Sequence, residues 1–186
     1  MSADPQNLRF YVDENIMGVG KALAIARKDT VHPGHRLIPE VQPGSLDTEW
    51  IPLVASRGLV VISRDRHIRT RPGEVALLRE YGLRVFWIGG KRDLNNWDNL
   101  VRLVRRWPDI ESVIAQQGPG PWFMVVNEHR VAPLALKGDQ TYLTDTSHLA
   151  IGIGRLTPPP PGPKPPSSSG DHWQRHQRDS GSGPTA

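Results

Sequence analysis

Three aspartates are the residues best placed, by type and spacing, to do chemistry. Asp13 follows Arg9-Phe10-Tyr11-Val12, a stretch of β-forming residues. Asp65 comes just after Leu59-Val60-Val61-Ile62-Ser63, a short β-branched run. Asp47 stands ahead of Trp50, Leu53 and Val54, which repeat at helical spacing. Carboxylates brought together raise one another's pKa and cost free energy unless positive charge neutralises them. A hard cation such as Mg²⁺ or Mn²⁺ can do this, because it prefers oxygen ligands and keeps several waters. So can nearby cations, here Arg64, Arg66, Arg69, Arg71 and Lys91. Taken singly, Asp13 and Asp47 also read as helix caps and Asp65 as a turn residue. The metal reading requires all three at one place.

The elements must supply that place. Residues 9–12 read as a first strand, 16–27 as an amphipathic helix and 30–36 as a short second strand. Ser45 or Asp47 reads as the N-cap of the next helix, with Glu49 in its first turn. Residues 59–63 form a third strand, nearly all apolar, as expected for a strand buried on both faces. A helix over 74–81 stops at Gly82. A fourth strand covers 84–88, and a helix covers 97–107, with 108–116 adding a further turn. Residues 122–126 and 131–136 suit a terminal hairpin. Strands alternating with helices predict an α/β fold: a parallel-sheet α/β/α sandwich with a C-terminal β-hairpin and a disordered tail. Right-handed crossovers place the C-terminal ends of parallel strands on one edge, where such sheets bind ligands. Asp13, Asp65 and the start of the Asp47 helix all fall on that edge.

Three stretches carry a family resemblance: Phe10-Tyr11-Val12-Asp13-Glu14-Asn15, Asp47-Thr48-Glu49-Trp50, and Val60-Val61-Ile62-Ser63-Arg64-Asp65-Arg66-His67-Ile68. Over residues 8–107 the chain resembles the PIN-like nuclease superfamily, and within it the VapC-type toxin ribonucleases. The resemblance implies Mg²⁺- or Mn²⁺-dependent cleavage of RNA. It implies Asp13, Asp47 and Asp65 as metal-holding catalytic acids, with Ser63 as the small hydroxyl residue two before the last acid. Many members carry a fourth acid where this chain has His67; Asp93 or Glu14 can substitute, and the pattern accommodates one metal or two. His67, as an imidazole, suits a proton donor to the leaving oxygen. Arg64, Arg66 and Arg71 are expected to hold RNA phosphates. The toxin analogy implies a cognate antitoxin protein as partner and allows a homodimer.

The rest of the sequence sets bounds. The chain has 186 residues, 37% of them hydrophobic, and a net charge of +4. That charge permits nucleic-acid binding without demanding it. There are no cysteines, so disulfides, thiolate nucleophiles and zinc–thiolate sites are excluded. No apolar run is long enough to span a membrane, and the first residues do not read as a signal peptide. The expectation is a cytoplasmic protein with no membrane partner. Residues 1–156 read as one domain. Residues 157–186, rich in Pro, Gly and Ser, read as a disordered tail.

Two rivals remain. A receiver-like phosphorelay domain also gathers acids around Mg²⁺, but it needs a hydroxyl residue after its fourth strand, where this chain has Gly89-Gly90. A catalytically degenerate PIN-like module would bind RNA or protein without cutting.

Overall fold

Short runs of β-branched and aromatic residues build one six-stranded sheet. The strands are β1 (Phe10–Val12), β2 (Thr30–Val31), β3 (Val60–Ser63), β4 (Arg84–Ile88), β5 (Trp122–Val126) and β6 (Val131–Pro133). Their order is β2-β1-β3-β4-β5-β6. All neighbours pair in parallel except β5 and β6, which form the expected hairpin. The computed structural model describes residues 7–90 and 94–136. These lie within one compact unit, Met1–Ser147. Asp93, the boundary at 156 and the tail lie outside the described residues.

The helices are α1 (Met17–Ala26), α2 (Asp47–Ser56), α3 (Pro72–Glu80) and α4 (Asn96–Gln117). Alternation along the strands assigns them to two layers. Tyr11, Val61, Val85 and Trp87 pack with Trp50, Ile51 and Val54 of α2 and Val75 and Leu78 of α3. Phe10, Val12, Val60, Ile62 and Phe86 pack with Val19 and Leu23 of α1 and Leu103 and Ile110 of α4. The result is the expected α/β/α sandwich. Every residue of β3 is buried; burial of Val60, Val61 and Ile62 contributes roughly 1.5–3 kcal/mol each.

Three boundaries differ from expectation. β2 ends at Val31 rather than running to residue 36, because Pro33 has no N–H for a ladder and Gly34 turns the chain at φ +74°. β6 stops at Pro133 rather than residue 136, with the Leu134 N–H making a last bond to Phe123 O at 2.9 Å. α4 runs unbroken through Pro108 to Gln117. The lost backbone bond is offset by burial beyond it, where Ile110 is fully enclosed and Val113 and Ile114 pack on the same cluster.

The strand order sets where a ligand can sit. From β1 the chain crosses outward to β2, then returns past β1 to β3. Such a reversal opens a crevice at the C-terminal ends of β1 and β3. Asp13 directly follows β1, and Asp65 comes two residues after the end of β3.

Candidate active site

Asp13 extends the β1–β3 ladder by one rung, its N–H donating to Ile62 O at 2.9 Å. Its side chain is buried. Oδ1 accepts the Glu14 N–H at 2.6 Å and so caps the 3-10 turn Glu14–Ile16. Oδ2 accepts the Ser63 hydroxyl at 2.7 Å and the Asn15 side-chain amide. Asn15 also reaches Ser63 Oγ at 3.1 Å, and its own Oδ1 accepts the Arg64 N–H at 2.9 Å. Ser63 Oγ in turn accepts the Asp65 N–H at 3.0 Å. One network therefore ties the end of β1 to the end of β3. Asn15 is a member that sequence reasoning missed; its only signal was an amide two residues after the acid.

Burial pushes the Asp13 carboxyl up to about 6, and the charges of Asp65 and Asp47 add to the rise against the hydrogen bonds from Ser63 and Glu14. Asp65 accepts the His67 N–H at 2.7 Å, so it is also the turn residue its position suggests. The His67 side chain is exposed.

Asp47 is the first residue of α2, not its cap. Leu46 holds the cap position: the Glu49 carboxylate accepts the Leu46 N–H at 3.0 Å, and Glu49 N–H donates to Leu46 O at 2.9 Å. This frees the Asp47 side chain, whose Oδ1 accepts the Trp50 indole N–H at 2.8 Å. Trp50 stacks on Tyr11 with ring centroids 5.1 Å apart. Burial raises the Asp47 pKa, and Glu74 and Asp65 raise it further; the Trp50 bond and Arg71 oppose them. The Tyr11 hydroxyl is also shifted upward, first by burial and then by Asp13, Glu14 and Asp47. Asp13, Asp47 and Asp65 thus sit within one electrostatic neighbourhood.

Glu74, near the start of α3, belongs to that neighbourhood and was not foreseen. Its Oε1 pairs with Arg71 at 2.9 Å. Its Oε2 is buried with no hydrogen-bond partner among the described residues. Glu14, by contrast, is exposed and accepts the Gly44 N–H at 2.7 Å, bracing the loop that leads into α2.

The acids suit a hard cation by chemistry: they are oxygen donors, mutually repelling, with one buried oxygen left orphaned. Among the described residues, no group of three acidic or histidine side chains is spaced to ligate a single ion. A cation here would have to be held by one or two carboxylates and otherwise hydrated.

The expected phosphate-binding arginines divide. Arg71 faces the acids through Glu74. Arg64 extends the other way, donating to Asn99 Oδ1 at 2.7 Å; Asn99 is 2% exposed and is anchored to Leu94 O. Arg66 donates to Gly90 O.

A family model described as a PIN-like domain matches residues 8–90. Over these residues the chain is similar to PIN-like domains. The match takes in β1 to β4, Asp13, Asp47, Asp65 and Glu74, and it ends before α4. PIN-like domains are commonly nucleases and generally use divalent metals. No curated protein and no solved structure matches the chain. The receiver-like rival shares this strand order, but β4 runs into Gly89, which leaves it without the hydroxyl it needs there. Among the described residues, no helix is long and apolar enough to cross a membrane.

Proposed function

We propose that this protein is a Mg²⁺- or Mn²⁺-dependent ribonuclease that hydrolyses RNA phosphodiester bonds in the cytoplasm. We further propose that it is the toxin of a toxin–antitoxin pair. The observation that carries the reading is the pairing of Asp13 and Asp65 at the β1/β3 crevice, with Asp47 electrostatically coupled to both. The PIN-like match over the same residues supports it.

Asp13 and Asp65 would hold the cation, and Asp47 and Glu74 would orient water around it. A bound divalent ion supplies Lewis acidity, lowering the pKa of water and offsetting phosphate charge. Ser63 and Asn15 fix the Asp13 carboxylate, so little reorganisation is needed when substrate binds. Arg71 adds positive charge beside the acids, and His67 would protonate the leaving oxygen. The partners are RNA, a cognate antitoxin and, for assembly, a second copy of the chain.

The test is cleavage of labelled single-stranded RNA with Mg²⁺ or Mn²⁺, with and without EDTA, beside Asp13→Asn and Asp65→Asn. Metal-dependent cleavage lost in both variants is the expected result. Cleavage that survives both would reject the site. For the toxin role, expression in a bacterial host is expected to arrest growth unless the neighbouring small gene is co-expressed. Unimpaired growth would reject that role.

A non-cutting binding module is the second reading. It is favoured by the structural duties that Asp13 and Asp65 already perform as cap and turn residue. RNA binding with no cleavage in any divalent metal would establish it.

A further inference from the structure

A cleft of about 390 Å³ opens at the C-terminal end of β4, beside the acids but one strand further along the sheet. Arg64, Arg66, Arg69, Trp87, Gly89 and Gly90 line it. Carbonyl oxygens there are already taken: Gly90 O by Arg66 and Gly89 O by Arg102. Beside the Asn127 side chain, three arginines bring more donors than the lining has acceptors. Trp87 is 2% exposed, and its indole N–H is buried with no hydrogen-bond partner among the described residues. A buried donor left unmade costs about 1–3 kcal/mol, so such groups generally have a partner. Arg69 is partly buried and has no carboxylate partner among the described residues. Burial and the neighbouring Arg66 both lower its pKa, as expected where cations gather without a counter-charge.

We infer that this cleft is an oxyanion subsite, separate from the carboxylate cluster, that takes a phosphate group of the RNA through Arg66 and Arg69, with Trp87 in its lining. Arginine suits the task because its planar fork can give two parallel hydrogen bonds to phosphate oxygens. Acids at the β1/β3 crevice and donors at the end of β4 set a polarity along the sheet edge. The donor set is the same for an internal phosphodiester and for a terminal phosphomonoester, so RNA can supply the group either way.

This inference rests on the ribonuclease reading for the identity of the ligand, but its test does not depend on cleavage. Inorganic phosphate is titrated into the full chain while the tryptophan indole N–H resonances are followed by NMR, with Trp87→Phe used to assign the Trp87 signal. A saturable shift of that signal is expected. Arg69→Gln should weaken phosphate binding by about tenfold or more without lowering the unfolding midpoint, since it removes a like-charge neighbour of Arg66. Asp13→Asn should bind phosphate like the parent. Short RNAs with 5′-phosphate or 5′-hydroxyl ends are then used as competitors. Displacement by both identifies the diester as ligand, and displacement by the phosphorylated RNA alone identifies the monoester. A Trp87 signal that does not move, phosphate binding unchanged in Arg69→Gln, or phosphate that neither RNA displaces would overturn the inference. Phosphate binding without metal-dependent cleavage would reject the nuclease and keep the pocket; cleavage without phosphate binding would do the reverse.

Discussion

Ser63 donates its hydroxyl to Asp13 Oδ2 across 2.7 Å, joining the end of β3 to the end of β1 inside the buried edge of the sheet. Ser63 Oγ also accepts the Asp65 N–H, so one hydroxyl sets the positions of two acids. Ser63→Ala leaves the Asp13 carboxylate short of a buried donor. The expected cost is about 1–3 kcal/mol, read as a lower urea midpoint with an unchanged m-value. RNA cleavage should fall with it. An unchanged midpoint would mean that the bond is dispensable.

Asp13 also makes a sign-definite prediction about pH in the metal-free protein. Its carboxyl titrates at about 6 in the fold, above its ordinary value of 3.8. Between those pH values the folded state holds a proton that the unfolded chain has released. Stability must therefore fall as pH rises from about 4 to about 6, by an amount on the order of 3 kcal/mol. Asp13→Asn should remove that component of the pH profile. Mg²⁺ added at pH 7.5 should recover stability in the parent and not in the variant. Parallel profiles for the two proteins would count against the burial-driven shift.

Trp50 does two things with one ring: it stacks on Tyr11, and its N–H holds Asp47 at 2.8 Å. Trp50→Phe can keep the stack and must lose the bond. The expected outcome is a modest loss of stability, about 1 kcal/mol, with a larger proportional loss of cleavage as Asp47 is freed. Thermal unfolding and cleavage rate measured on one preparation separate the two effects. Equal activity would remove Asp47 from the catalytic set.

The sequence made some of this legible and hid the rest, for physical reasons. Asp13 and Asp65 could be placed because Phe10–Val12 and Val60–Ser63 are strongly β-branched or aromatic and the edge of a parallel sheet follows from topology. Asp47 was harder. Ser45 and Asp47 both have capping side chains, yet the helix starts after Leu46 through a backbone reach by Glu49, which residue preference does not encode. Glu74 and Asn15 were missed because their roles depend on tertiary approach rather than local pattern. Arg64 was expected on phosphate, and its bond to Asn99 of α4, 35 residues away, depends on tertiary approach in the same way. Past Pro108 the sequence predicts only a further turn of helix; that α4 runs through unbroken follows from burial of Ile110, which overrides a local helix breaker.

Glu74 offers the most direct check on the charge of the site. Its Oε1 is held by Arg71, its Oε2 is buried without a partner, and its charge raises the pKa of Asp47. In the metal-free protein this acid is a burden, because it adds like charge to a neighbourhood already short of cations. With a divalent ion bound, the same charge becomes favourable. Glu74→Gln keeps the acceptor for Arg71 and removes only the charge. Mn²⁺ affinity, followed by electron paramagnetic resonance, should fall by about 10- to 100-fold, the usual effect of losing an outer-shell partner. The metal-free variant should be no less stable than the parent. Glu80→Gln, an exposed change at the far end of the same helix, should leave Mn²⁺ binding unaltered. If Glu74→Gln and Glu80→Gln bind Mn²⁺ equally well, the orphaned oxygen has no part in holding the ion, and the acid set contracts to Asp13, Asp47 and Asp65.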